Sequence, residues 1–156
     1  MPDDLPTSAD ARHMEQCLAL AREAAAAQEV PVGAVVVLDD EVIGVGRNRV
    51  EELNNPLAHA EMQALEQAFA RTGDKRLPGA ELYCSLEPCF LCAGAILHAR
   101  LRRVVFGARD PKFGAVRSLA TLLEDDRMNH RCEVVESVCA DESAALLRTF
   151  FQSRRS

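Results

Sequence analysis

No apolar run in this chain approaches the roughly 18 residues of a membrane-spanning helix, so a membrane role is not expected. No apolar h-region follows the acidic start Met1-Pro2-Asp3-Asp4, so no secretory signal is expected and the default compartment is the cytoplasm. Internal repeats, low-complexity tracts and linkers are also missing, which leaves one globular domain over residues 1–156, long enough to bury a real core. The glycine pair in Gly44-Val45-Gly46 lacks the third glycine and the following helix of a dinucleotide fingerprint. Positive charge is in deficit, with a net charge of −6 that argues against a nucleic-acid partner for the chain taken whole.

The charge is uneven, however. Residues 100–117 carry Arg100, Arg102, Arg103, Arg109, Lys112 and Arg117 against the single acid Asp110, a net of +5 that leaves −11 elsewhere. A local basic stretch of this kind can meet a phosphate backbone whatever the total. There are six cysteines and no secretory signal, a combination that favours metal or redox use over a disulfide framework. Cys89 and Cys92 form a C-x-x-C, whereas Cys17, Cys84, Cys132 and Cys139 sit in apolar surroundings and read as small buried hydrophobes.

In chain order, Met14, Leu18, Ala21 and Ala25 mark one face of a helix over 8–28 that Pro31 closes. Two short apolar runs, 34–38 and 41–45, flank Asp39-Asp40 as a hairpin. Residues 47–58 read as a polar loop, and a helix begins at His59 and stops at Gly73. A strand at 81–85 precedes a helix that Pro88 opens and that runs to about Ala99. Strands follow at 103–107 and 132–136, with a short helix at 119–123 between them and a final helix from Asp141 through Phe151. This order predicts a three-layer α/β/α domain on one mixed five-stranded sheet, with ligands bound where the crossover helices begin.

Two short motifs lie at such helix starts: His59-Ala60-Glu61 and Pro88-Cys89-Phe90-Leu91-Cys92. Cys89 and Cys92 stand one turn apart, so both sulfurs can reach one ion, and the helix N-terminus favours their anionic form. His59 supplies a third donor and His98 is too far along its helix to supply a fourth. Three donors with an open fourth position describe a catalytic zinc site rather than a structural one. Zinc lowers the pKa of a bound water from near 16 to roughly 7. Glu61, beside the ion but not bound to it, would carry the proton from that water to the substrate's ring nitrogen and leaving amine.

With these residues the chain resembles the zinc-dependent nucleoside and base deaminases, the cytidine/deoxycytidylate deaminase superfamily, whose signature is H-x-E followed by P-C-x-x-C. Within that superfamily it is most similar to the bacterial deaminases that convert the wobble adenosine of a tRNA anticodon to inosine. The similarity runs from Val30-Pro31-Val32-Gly33 to Phe150-Phe151, through Leu86-Glu87-Pro88-Cys89, Gly107-Ala108-Arg109-Asp110 and Met128-Asn129-His130-Arg131. It implies a cytidine-deaminase-like fold, one zinc ion per subunit, a homodimer, and a tRNA anticodon stem-loop as partner, docked on the basic 100–117 segment and the last helix. It also implies that Asn48 hydrogen-bonds the purine, that Val32 packs on the flipped base, that Asp110 and Asn129 contact the anticodon loop, and that Phe151 with Phe150 shapes the pocket. Arg47 stands where an aromatic often precedes that asparagine, and Val50 replaces a proline. Two rival readings remain: a deaminase of free guanine, cytosine or nucleosides with the same zinc site, and a non-catalytic zinc-stabilised RNA-binding module.

Overall fold

The β-branched run Val35-Val36-Val37 favours extended backbone because branching at Cβ restricts χ1 and suits a pleated surface. In the computed structural model, which describes residues 5–154, this run lies in strand β1 (Gly33–Leu38) near the middle of the sheet. Helix α1 (Ser8–Ala26) precedes it. Its N-terminus is closed by a capping box in which Thr7 and Asp10 exchange side-chain-to-backbone hydrogen bonds of 3.1 and 2.9 Å. Strand β2 (Glu41–Arg47) completes the hairpin through Asp39 and Asp40, both at positive φ.

The remaining elements are a one-turn helix α2 (Val50–Leu53), α3 (Ala60–Thr72), β3 (Glu81–Leu86), α4 (Phe90–Ala99), β4 (Arg103–Ala108), a 3-10 turn (Leu122–Glu124), β5 (Glu133–Val135) and α5 (Ala140–Arg154). The five strands form one sheet in the order β2-β1-β3-β4-β5. β1 runs antiparallel to both neighbours, and β3, β4 and β5 are mutually parallel, so the sheet is mixed as the sequence order predicts. α3 crosses over β1 to join β2 to β3, and α4 joins β3 to β4.

Period-two alternation sorts the strand side chains into two cores. Ala34, Val36, Leu82, Cys84, Val104 and Phe106 pack with α3 and α4. Val35, Val37, Tyr83, Val105 and Val135 face the other way, against Met14 and Cys17 of α1. Cys17, Cys84 and Cys132 are buried and Cys139 half-buried; none forms a disulfide. α3 lies unusually close to β2, because a Cβ at Gly46 would overlap the Ala60 carbonyl and one at Gly44 the Ala64 carbonyl. The two glycines that make no nucleotide fingerprint therefore seat the helix whose first turn carries Glu61. Among the described residues, no helix is long and apolar enough to cross a membrane.

Local departures from the sequence reading have specific causes. Pro88 does not open α4: Cys89 is the N-cap, with extended backbone, so the proline lies just outside the helix. The expected loop at 47–58 contains α2, whose Glu51 and Glu52 N–H groups donate to the buried Glu29 carboxylate at 3.0 and 2.7 Å. Glu29 caps this helix from more than 20 residues away in sequence, which no local pattern reveals. The short helix expected at 119–123 is the 3-10 turn over Leu122–Glu124.

Candidate active site

His59 and Cys89 hold equivalent positions as N-caps of α3 and α4. Both have extended backbone, and neither uses its side chain to cap its own helix, so imidazole and thiol are free to turn towards each other. His59 Nδ1 lies 3.5 Å from Cys89 Sγ and 3.5 Å from Cys92 Sγ. All three donor atoms fall within 4.8 Å of one another. Tetrahedral zinc with its usual bonds of about 2.0 Å to nitrogen and about 2.3 Å to sulfur would set nitrogen and sulfur ~3.5 Å apart. The donor types and their spacing therefore fit zinc, and His98 is not part of the cluster.

The charges of the cluster are tightly coupled. Its contact with Cys92, and then with His59, lowers the Cys89 thiol to about 4. The same contact and burial push Cys92 upward. Contact with Cys89 raises the His59 imidazole. Glu61, on the first turn of α3, is only 5% exposed. Burial, reinforced by the negative charge at Cys89, lifts its carboxyl to about 7, a value suited to gaining and losing a proton near neutrality. Glu61 stands outside the donor cluster and lines the cavity beside it.

That cavity has a volume of about 700 Å³. Its wall is built at one edge of the sheet, from Val32 before β1, Asn48 after β2, Leu86 and Glu87 at the end of β3, and Asp110 after β4. Phe151 of α5 closes another side and is half-exposed, while Phe150 is buried and meets it edge-on at 5.3 Å. Asn48 Oδ1 accepts from Val50 N–H at 3.1 Å, which leaves the amide nitrogen as its donor to a bound molecule. Asp110 Oδ1 accepts from the N–H groups of Lys112 and Phe113 at 3.1 and 3.3 Å, turning the chain at the rim. Asn129 lies apart, exposed between the 3-10 turn and β5 and outside the cavity wall.

Glu87 has a role that sequence reasoning missed. Its carboxylate is 2% exposed and accepts from the N–H groups of Asp110, Val116, Arg117 and Ser118 at 2.6–3.0 Å. Burial opposes its charge, but the Ser118 hydroxyl and these N–H groups outweigh it and hold the pKa below the usual carboxylate range. Gly114 is needed beneath it, because a Cβ there would overlap the carboxylate. A glutamate immediately before Pro88-Cys89 was the available signal, though its partners lie 23 to 31 residues away.

The basic 100–117 stretch is not one cationic face. Arg103 is buried in a two-pronged pair with Asp10 at 2.8 Å on the α1 side of the sheet. Arg102 pairs with Glu81 and Glu133, Arg109 with Glu136, and Arg117 with Glu124 and Glu136. The pattern of basic residues overstated the free charge because their acidic partners are distant in sequence.

Comparison with known proteins matches residues 8–155 to the MafB19-like deaminase family. The tRNA-specific adenosine deaminase of Agrobacterium fabrum is 46% identical over 142 residues, covering 91% of this chain and 93% of that protein. A structure solved in a study of A-to-I editing by tRNA:A34 deaminases at the wobble position of transfer RNA superposes with a TM-score of 0.84 at 46% identity, over 87% of this chain and 99% of the other. Guanine deaminase from Nitrosomonas europaea shares the fold at a TM-score of 0.77 but only 28% identity, over 90% of this chain and 83% of its own.

Proposed function

The chain belongs to the MafB19-like deaminase family, and from that premise we propose that it hydrolyses adenosine to inosine at the wobble position of a tRNA anticodon. The observation that carries this reading is the buried carboxyl of Glu61 on the wall of a cavity that His59 and Cys89, two of the three clustered donors, also line. The 46% identity to a tRNA-specific adenosine deaminase supports the choice of substrate.

In this reading His59, Cys89 and Cys92 hold one zinc ion per subunit. When bound, zinc acts as a Lewis acid and makes water nucleophilic at neutral pH. Val32 and Leu86 receive the extruded adenine, and the Asn48 amide donates to it. Glu61 takes a proton from the attacking water as the new C6–O bond forms. It gives that proton to the ring nitrogen, then takes the second proton from the new C6 hydroxyl and delivers it to the amine, so that C6=O forms, the C6–N bond breaks and ammonia leaves. Asp110, Asn129 and Phe151 would contact the rest of the anticodon loop, whose unpaired bases can be splayed and read singly. In this reading the enzyme works in the cytoplasm. We further read the chain as a single domain that works as a homodimer, with the exposed Phe90 and Leu91 at the start of α4 as apolar surface for the second copy.

Free guanine is the competing substrate, because a guanine deaminase shares the fold at 28% identity. Total tRNA and guanine are each incubated with the purified protein, the first scored for adenosine-to-inosine changes by sequencing and the second for ammonia. Inosine at the wobble position with little ammonia from guanine is expected, and the reverse pattern would overturn the assignment. The light-scattering mass tests the dimer.

A further inference from the structure

Phe113 is 65% exposed, the highest value among the large hydrophobic side chains of the described residues, yet it lines the cavity. An exposed phenylalanine gives folding little, since the hydrophobic gain comes from removing apolar surface from water. On a slack loop such a ring could collapse onto the protein. The segment that carries it is pinned instead. The N–H groups of Lys112 and Phe113 donate to Asp110 Oδ1, that of Gly114 to the Asp110 carbonyl at 2.9 Å, and that of Ala115 to the Pro88 carbonyl at 2.9 Å. The next three N–H groups, of Val116, Arg117 and Ser118, all reach the Glu87 carboxylate. The backbone thus holds an apolar ring out at the cavity mouth.

The neighbouring charge indicates what covers it. Among the described residues, Arg102, Arg103, Arg109 and Arg117 each have carboxylate partners, whereas the exposed Lys112 beside Phe113 forms no ion pair. An aromatic face next to an uncommitted cation matches an unpaired nucleotide, whose base offers a π-face and whose phosphate a negative charge. Both side chains line the same cavity wall as Asp110, so a nucleotide there would be continuous with one whose base is inside the cavity.

We propose that Phe113 is the stacking platform for an unpaired base adjacent to the adenosine being deaminated, with Lys112 meeting that nucleotide's phosphate. This rests on the tRNA reading above, and it makes Phe113 a specificity-determining residue that acts on RNA binding rather than on the chemical step.

The test compares wild type with Phe113→Ala, Phe113→Leu and Phe113→Tyr on an anticodon stem-loop, with zinc content and mass measured for each. Phe113→Leu keeps apolar bulk while removing the ring, which also covers failure of the alanine variant to fold. Loss of one stacked base should raise KM roughly 5- to 100-fold, with a smaller change in kcat, in the alanine and leucine variants. Phe113→Tyr should restore most of the loss. Lys112→Ala should flatten the slope of log Kd against log salt by about 0.7. An unchanged KM in the alanine and leucine variants, a loss confined to kcat, a tyrosine variant as weak as alanine, or an unchanged salt slope would overturn the proposal. So would a shift from dimer to monomer in Phe113→Ala, which would assign the ring to a second copy of the chain. If wild type itself makes no inosine in tRNA, the functional reading fails; if only the variants are indifferent, the platform alone fails.

Discussion

His59 of one crossover helix and Cys89 of the next are both N-caps, and their Nδ1 and Sγ atoms stand 3.5 Å apart across 30 residues of sequence. Each is one of three donors, so removing either leaves too few to hold zinc firmly. His59→Ala and Cys89→Ala should lower bound zinc from about one per chain to a small residue and abolish deamination. Chelation of the wild type should do the same, reversibly on adding zinc. Full metal content in both variants by elemental analysis would contradict the assignment.

Glu61 is not one of the donors, and its removal should separate metal binding from turnover. Glu61→Gln keeps the shape and loses the proposed proton carrier. We expect normal zinc content with kcat lowered by roughly 10²- to 10⁴-fold, the range for a positioned general acid–base group. Single-turnover inosine formation at wild-type rate by a zinc-loaded variant would exclude the role.

The buried pair of Asp10 with Arg103 gives a pH dependence to stability. Burial works against the Asp10 charge, but hydrogen bonds from Arg103, from Thr7 N–H and from Tyr83 outweigh it and lower the carboxyl below its ordinary 3.8. Because the folded value lies below the unfolded one, this contribution is complete above about pH 4 and declines as pH falls through the folded pKa. Asp10→Asn removes the two-pronged carboxylate but leaves Arg103 with Glu81 at 2.9 Å, so it should destabilise the fold by about 1.5–3 kcal/mol at pH 7. In urea unfolding, the gap between wild type and variant should narrow by pH 3. A gap independent of pH would contradict the argument.

A methyl group at position 46 would meet the Ala60 carbonyl at the start of α3. Gly46→Ala should therefore displace the helix start that carries His59 and Glu61, at a cost of about 1–3 kcal/mol. A lowered melting temperature together with weaker zinc retention is the expected pair of results. Normal zinc affinity would show that the helix start does not move with the strand.

Glu87 accepts four backbone N–H groups of the loop after β4, whose first part forms the cavity rim. Glu87→Gln retains only one acceptor oxygen and sets an NH2 group against those donors. Amide exchange at Val116, Arg117 and Ser118 should accelerate by an amount equivalent to about 1.5–3 kcal/mol, the worth of hydrogen bonds to a charged group. Exchange measured by NMR at unchanged global stability would show this, and unchanged protection would dismiss the carboxylate as an anchor.

The parts of this protein legible in its sequence are those set by local pattern. The apolar run at 34–38 and the segment 81–85 become strands that contribute to both cores, and both halves of the split motif stand at helix starts over one sheet edge. Val32, Asn48, Asp110 and Phe151, singled out by resemblance, line one cavity, while Asn129 stands outside its wall. What stayed hidden depended on partners remote in sequence. Glu29 capping α2, Glu87 binding the rim, and Asp10 holding Arg103 each join segments more than 20 residues apart, so composition alone showed unpaired charges.

The rim and the donor cluster share a seam of backbone. Cys89 is bridged to Gly114, and the Pro88 carbonyl accepts from Ala115 N–H. Were zinc and RNA bound as proposed, each would act on a segment paired with the one that holds the other. Thermodynamic reciprocity then requires that any factor by which the ion tightens RNA binding be the factor by which RNA tightens the ion.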